Sequence, residues 1–239
     1  PENALAKMGI GQCLVQQEQP DKAMGYFMQA IDISPDLEIA YVAAVNTLIR
    51  SDNTEEALSI AKRLTGVNEE RGGLLHAYIL EKNMRFEEAV EVLTQLKEKY
   101  GQSPTLHRYL ANAYLALGRN NEAESALKLI LDKLEPNSVK AQMLLIETYR
   151  VQGKVNEVIP EYEKLASANP NDMRIQLGLA KSLLYANRIT EAEVIAQALY
   201  DKDPENEWTN YLIGVVLLMQ NKTEDALEHL RLATTKLPE

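Results

Sequence analysis

The 239-residue sequence predicts an all-α solenoid of seven helix-turn-helix repeats. Small residues recur every 32 to 35 positions along the chain. Apolar residues at helical spacing surround each recurrence, and polar turns lie between them. In such an array each repeat buries its apolar face only against its neighbours. The recurring residues are Ala23, Ala57, Ala89, Ala123, Val158, Ala192 and Ala226.

Each repeat begins with a helix that carries a second small or apolar residue, twelve positions before the first. Apolar residues next to it, such as Leu110 and Tyr114 in the fourth repeat, place one apolar stripe on a single helix face. A small residue within this stripe allows another helix to approach closely. This first-helix series is Gly11, Val45, Ala77, Ala111, Ile146, Ala180 and Gly214.

A second helix carries the recurring residue itself, with a large apolar residue four positions later in most repeats. Acidic residues near its start, such as Glu55 and Glu56, complement the positive end of the helix dipole. Gly118 and Gly153 suit the helix ends between the two helices. Prolines stop the second helices near one place, at Pro35, Pro104, Pro136, Pro170, Pro204 and Pro238.

This pattern resembles the tetratricopeptide repeat family, which has a period of about 34 residues. The resemblance covers the whole chain and implies a right-handed superhelix with a concave groove. The clearest matches are Leu110-Ala111-x2-Tyr114, Gly118, Ala123 and Pro136, and Ile10-Gly11, Ala23, Phe27, Ala30 and Pro35.

Residues 1–239 are expected to form a single array. The start Pro1-Glu2-Asn3 matches Pro204-Glu205-Asn206 at a junction, and the chain stops at a similar Pro238-Glu239. We therefore expect an array taken from a longer protein. The repeats are expected at approximately 4–37, 38–69, 70–103, 104–138, 139–172, 173–206 and 207–239.

Two repeats depart from the pattern. The third is two residues short and is expected to start its first helix at Gly72-Gly73, which predicts a distorted junction or bend near 66–73. The fifth carries Val158 where Ala is usual, and Pro160 near the start of its second helix. We expect Pro160 to lie in the first turn, where proline is tolerated.

No motif predicts catalysis, a cofactor site or a metal site. The histidines His76, His107 and His229 share no ligand spacing, and no phosphate-binding loop occurs. A net charge of −10 argues against nucleic-acid binding. The longest apolar run, Tyr211 to Met219, is short of the ~20 residues of a membrane span. The single Cys13 is expected to be a small buried residue, and cytoplasm and periplasm both stay open as compartments.

In the resembling family, positions −6, −3, +1, +4 and +5 from the first-helix small residue line the concave groove. Here they carry eight basic and two acidic residues, a balance of +6 that leaves −16 for the remaining chain. Such a groove would attract an acidic segment or a terminal carboxylate. Alternatively, long basic side chains only solvate an exposed face. The basic residues are Arg50, Arg71, Lys82, Arg108, Lys140, Arg150, Arg174 and Lys181, and the acidic ones are Glu81 and Glu147.

Aromatic residues occupy further groove positions: Tyr78, Tyr185, Trp208 and Tyr211. Because Trp and Tyr are enriched at binding hot spots, Trp208 and Tyr211 could form an anchor pocket. They could equally pack against repeats beyond this sequence.

Some family members hold the terminal carboxylate of heat-shock chaperones with a clamp of basic and Asn residues. Arg108, Asn112 and Arg174 match that clamp, whereas Leu144 and Gly178 replace two of its members.

The leading prediction is a non-catalytic scaffold that binds a protein or peptide segment of acidic character. The alternative is a structural or assembly component of a bacterial envelope, exopolysaccharide-export or secretion system, whose groove could hold an anionic polysaccharide. A third class, the substrate-binding arm of a transferase, would need a separate catalytic domain. Leu227, Leu230 and Leu232 on a last helix expected over Glu224–Leu237 predict end-to-end self-association.

Overall fold

The computed structural model describes residues 3–234, and within them only helices and turns occur. The predicted all-α fold class is therefore confirmed. The predictions about the two chain ends depend on residues that lie outside the described ones: Pro1, Glu2, Leu237, Pro238 and Glu239. The chain divides into an N-terminal unit that reaches Ala141 and a C-terminal unit that starts at Gln142.

Helices α1 to α8 lie in the N-terminal unit, and α9, which begins at the boundary, leads into the C-terminal unit. Odd-numbered helices are the first helices of the predicted repeats and even-numbered ones are the second. The first eight are α1 (Ala4–Gln16), α2 (Pro20–Ile33), α3 (Glu38–Arg50), α4 (Thr54–Val67), α5 (Glu69–Lys82), α6 (Phe86–Tyr100), α7 (Pro104–Ala116) and α8 (Asn120–Leu129), which continues as a π-helical turn (Ile130–Leu134). The others are α9 (Val139–Val151), α10 (Val155–Ala168), α11 (Met173–Tyr185), α12 (Ile189–Lys202), α13 (Glu207–Met219) and α14 (Thr223–Thr234).

Polar side chains determine where the helices begin. Most first helices have an N-cap residue whose side chain accepts a hydrogen bond from a backbone amide of the first turn. These N-caps are Asn3, Asn68, Ser103, Asp172 and Asn206. Second helices have acidic residues in the first turn instead, as predicted. Three of them also begin with an Arg–Glu ion pair: Arg85–Glu88, Arg119–Glu122 and Arg188–Glu191.

The turn after every first helix contains one residue with a positive φ, between 55° and 69°. The next residue donates its amide to a carbonyl five positions earlier, as in Arg119 to Tyr114 at 2.8 Å. The same turn geometry therefore joins all seven helix pairs. The residues concerned are Glu18, Asp52, Met84, Gly118, Gly153, Asn187 and Asn221.

The recurring small residues lie at the contacts between helices. Six alanines of the second helices are fully buried, and Val158 is 7% exposed. The large apolar residues four positions later are also buried at Phe27, Leu93 and Leu127, and half-buried at Tyr162 and Leu230. The predicted close approach of paired helices is confirmed, whereas the residue boundaries of the repeats stay a prediction.

The irregular junction predicted in the third repeat has a definite cause. The predicted start at Gly72-Gly73 is wrong, because Asn68 accepts a hydrogen bond from the Arg71 amide at 3.0 Å and α5 begins at Glu69. Asn68 alone separates α4 from α5. Gly72 is buried, and a Cβ there would lie 2.2 Å from the backbone nitrogen of Thr65. Glycine is thus required by the close approach of two helices.

Two further expectations are wrong. Pro160 lies inside α10 rather than in its first turn, so the helix loses one backbone hydrogen bond there. Cys13 is exposed rather than buried. Thr47, the equivalent residue of α3, is 5% exposed because α3 also packs against the preceding second helix, α2. Within residues 3–234, α1 packs only against α2 and α3.

We expect Gly72→Ala to lower the midpoint of thermal or urea unfolding, because the added methyl group meets backbone that cannot move aside. Overpacking of this kind costs about 1–3 kcal/mol. Gly25→Ala is the matched control, since a Cβ at this exposed site within α2 meets nothing within 4 Å. The control should gain about 0.5–1 kcal/mol from helix propensity. Equal effects of the two substitutions would contradict the steric explanation.

Candidate partner-binding surface

The predicted groove positions fall into two classes. Positions −6 and +5 are exposed in nearly every repeat, for example Ile39 at 50% and Tyr185 at 90%. Positions −3, +1 and +4 are mostly half-buried beside neighbouring helices. Every charged residue at the exposed positions is basic: Arg71, Lys140 and Arg174 at −6, and Arg50 and Lys82 at +5.

Three of the eight predicted basic residues form ion pairs. Each pair is largely exposed to solvent, and such pairs contribute about 0–1 kcal/mol, so a partner carboxylate could replace the internal one. Arg50 and Lys140 are exposed and form no ion pair within residues 3–234. The pairs are Arg71–Glu38 at 3.1 Å, Arg150–Glu147 at 2.6 Å and Arg174–Asp172 at 3.0 Å.

In the N-terminal unit, α5 and α7 bring together several predicted site residues. The Lys82 ammonium lies 5.4 Å from the ring centroid of Tyr78, and the Tyr78 hydroxyl donates to Asn46 Oδ1 at 2.7 Å. On α7, the Arg108 guanidinium lies 5.8 Å from the ring of Tyr109. These contacts hold two cations and two aromatic rings on adjacent helices. The predicted Asn112 is half-buried on α7 as well.

Glu81 lies in the same region and differs from an ordinary surface carboxylate. Its Oε1 is buried and has no hydrogen-bond partner among the described residues. Burial raises the pKa of Glu81 to about 7, although nearby Lys82 and Arg108 oppose the shift. Burial, together with the Glu81 charge, also raises the pKa of Tyr109. Near neutral pH, Glu81 therefore only partly compensates the charges of Lys82 and Arg108.

In the C-terminal unit, Lys181 of α11 lies against two aromatic rings of α13. Its ammonium is 5.3 Å from the Trp208 ring centroid and 5.8 Å from that of Tyr211. Trp208 and Tyr211 remain 44% and 40% exposed. A cavity of about 370 Å³ adjoins Tyr211 and is lined by Lys181, Leu184, Tyr185, Tyr211, Leu212, Val215 and Met219.

The geometry at Gly178 argues against a chaperone-type carboxylate clamp. A Cβ at Gly178 would lie 2.5 Å from the Tyr162 ring, so the basic side chain required there has no space. Arg174, another clamp candidate, forms its ion pair with Asp172, the N-cap of its own helix.

Two of the three histidines have structural contacts. His107 is buried, with Nε2 2.8 Å from the Gly101 carbonyl, and His229 Nδ1 is 2.9 Å from Asn210 Oδ1. Among the described residues, no group of three acidic, Cys or His side chains could hold a metal ion. None of the helices in that part of the chain is both long and apolar enough to span a bilayer.

Paired helices joined by one recurring turn define an α-helical repeat protein. The chain belongs to the tetratricopeptide repeat family. Family models described as tetratricopeptide repeat match residues 4–37, 80–145, 143–207 and 177–239. This fold suggests a scaffold for protein–protein interactions, with protein or peptide partners.

Solved structures show the same fold at low sequence identity. A tetratricopeptide repeat protein from Parabacteroides merdae ATCC 43184 is 16% identical, with 97% of this chain and 92% of that chain covered and a TM-score of 0.59. The protein TTC0263 from Thermus thermophilus is 22% identical, with coverages of 76% and 100% and a TM-score of 0.59. YrrB, described as having an unusual peptide-binding site, is 19% identical, with coverages of 73% and 91% and a TM-score of 0.58. No curated protein matches the chain significantly.

We expect Glu81→Gln to stabilise the protein at pH 8 but not near pH 4.5. The folded-state pKa, about 7, exceeds the ordinary 4.5, so the free energy of unfolding falls as pH rises between these values and stays lower above them. Partial solvent access reduces the expected gain to about 1–2 kcal/mol. Urea unfolding of parent and variant at both pH values measures it.

Glu147→Gln is the matched control on α9. A hydrogen bond from Arg150 lowers the pKa of Glu147, so this variant should lose stability at pH 8. A gain from both substitutions would contradict the assignment to burial of Glu81.

Proposed function

We propose that this chain is a non-catalytic interaction scaffold that binds an acidic segment of a partner protein along its first helices. One observation carries the proposal. In a chain of net charge −10, the charged residues at the exposed first-helix positions −6 and +5 are all basic. The family fold supplies the general class of function, since it suggests protein or peptide partners.

Electrostatic attraction would guide the partner to these helices. Exposed charges of one sign raise the association rate and help to fix the register of a bound segment. Arg50 and Lys140 offer unpaired charges, and the exposed pairs of Arg71 and Arg174 can exchange their carboxylates. Partner carboxylates near Lys82 and Arg108 would favour the neutral form of Glu81. Binding at that cluster should therefore strengthen as pH falls through about 7.

The envelope alternative differs in the chemistry of the ligand. An anionic polysaccharide carries regularly spaced carboxylates but no peptide groups or apolar side chains. A polyuronate therefore belongs in the same titration as an acidic peptide. Tighter binding of the polyuronate would favour the envelope alternative over the peptide-binding scaffold.

We expect the triple variant Arg108→Glu, Lys140→Glu and Arg174→Glu to lose at least tenfold in affinity for a fluorescein-labelled oligoglutamate peptide. Lys140 and Arg174 are exposed and Arg108 is half-buried. An exposed charge contact contributes up to about 1 kcal/mol, and each reversal adds repulsion. Fluorescence anisotropy at two salt concentrations measures the affinity. The parent should bind more weakly at the higher concentration because salt screens exposed charges.

A second triple variant controls for net charge. Lys62→Glu and Lys97→Glu on second helices, with Lys133→Glu in the turn after α8, change the total charge equally at exposed sites. This control should keep the parental affinity within about twofold, because its sites lie outside the first helices. Equal losses in both triple variants would show that only total charge matters and would contradict the proposed surface.

A further inference from the structure

The exposed face of α13 carries an aromatic and aliphatic ridge. Trp208, Tyr211, Val215 and Met219 recur at spacings of three and four residues and therefore share one face. The ridge is about 16 Å long, or three helical turns. Lys181 lies beside it, and the cavity of about 370 Å³ opens between α11 and α13. Three of these side chains, Trp208, Tyr211 and Met219, are exposed, and Val215 is half-buried among them, so this apolar surface requires an explanation.

The exposure of Trp208 does not result from its place in the last predicted repeat. Trp208 occupies position −6. Ile39, Arg71 and Arg174 occupy the same position on α3, α5 and α11, and they are exposed although the next first helix packs against each of these helices. Leu218 is different. It is 44% exposed, whereas Leu184, its equivalent on α11, is 8% exposed beside α13. Leu218 therefore lies at a position that is buried in α11, whereas Trp208 lies at a position that is also exposed in α3, α5 and α11.

The charge at this surface is unbalanced. Lys181 is the one charged residue that lines the cavity, and its ammonium contacts the rings of Trp208 and Tyr211. No carboxylate pairs with it among residues 3–234. Contact with two rings fixes the ammonium but leaves its charge available. The matching ligand group is a carboxylate next to apolar side chains.

The scarcity of hydrogen-bonding groups indicates the conformation of the ligand. Apart from the Lys181 ammonium, the cavity lining offers only the hydroxyl groups of Tyr185 and Tyr211 as polar side-chain groups. An extended peptide here would find few side-chain partners for the backbone amides and carbonyls that face the cavity, at a cost for each group that loses its water. A helix satisfies its own backbone hydrogen bonds and presents apolar side chains at spacings of three and four residues.

We propose that the groove between α11 and α13 binds an amphipathic helix of a partner protein. Its apolar side chains fill the cavity along the α13 ridge, and an Asp or Glu at the edge of its apolar face pairs with Lys181. The inference rests on the proposed function in taking an acidic protein segment as the partner. It adds the helical conformation, the apolar anchors and the place of one carboxylate.

Trp208 is the single tryptophan of the chain, so its fluorescence reports on this groove. The probe is a designed peptide of about 18 residues with Leu at helical a and d positions and Glu beside them. A second peptide of the same apolar and acidic content carries two prolines that prevent helix formation. The first peptide should change Trp208 fluorescence and gain helical circular dichroism on binding. The proline peptide should bind at least tenfold more weakly.

Variants locate the binding. Lys181→Gln should lower the affinity for the helical peptide about fivefold and reduce the salt dependence of its binding. Tyr211→Ala should weaken binding at least tenfold, as for an aromatic hot spot. Lys222→Gln and Val194→Ala, at exposed sites outside the groove, should bind as the parent does. Tyr211→Phe keeps the ring and should retain most of the affinity, which separates lost contact from lost folding.

Several results would overturn the inference: unchanged Trp208 fluorescence, equal binding of the proline peptide, or parental affinity in the Lys181 and Tyr211 variants. The proposed function fails differently, when oligoglutamate binding survives reversal of Arg108, Lys140 and Arg174. Those substitutions leave Lys181, Tyr211 and Trp208 unchanged. Each proposal can therefore fail while the other stands.

Discussion

Close approach of paired helices is the constraint on which the rest of this structure depends. The six recurring alanines of the second helices are fully buried, and the fifth repeat has the larger Val158 at the same position, so a side chain much larger than valine would require the helices to move apart. The recurring turn with one left-handed residue presents the two helices to each other in the same way in each repeat. Because these two features recur together, one local packing solution is repeated along the chain.

The sequence predicts helix pairing well because packing restricts residue type at a constant interval. It predicts other features poorly, because they depend on neighbours that a single repeat does not contain. Cys13 has an apolar helical context, but its burial requires a preceding second helix. Met84 and Asn187 adopt positive φ without glycine, since the recurring turn imposes that conformation. The need for glycine at Gly72 follows only from the tertiary structure, in which Thr65 of the preceding helix lies too close for a Cβ.

In the candidate site too, the sequence predicts some features well and others poorly. Helical position alone predicts which side chains lie on the first helices, including Lys181, Trp208 and Tyr211. Whether a charge is free depends on tertiary contacts, such as that of Arg71 with Glu38 on another first helix. From the sequence, Glu81 is one of two acidic residues at the groove positions. Its burial beside Tyr109 raises its pKa, so the charge of that cluster depends on pH.

The basic residues at the exposed positions differ in how they interact with the dipole of their own helix. Arg50 and Lys82 are the last residues of their helices, where a positive charge favours the negative end of the helix dipole. Arg71, Lys140 and Arg174 lie within the first three residues of α5, α9 and α11, where the dipole disfavours positive charge. Substitutions at exposed sites usually change stability by less than about 0.5 kcal/mol, so folding would accept acidic residues there. The ion pairs of Arg71 with Glu38 and of Arg174 with Asp172 offset this unfavourable placement, whereas Lys140 forms no ion pair within residues 3–234. Under the proposed function, position −6 is therefore the part of this surface where the dipole of the helix accounts least for a basic side chain.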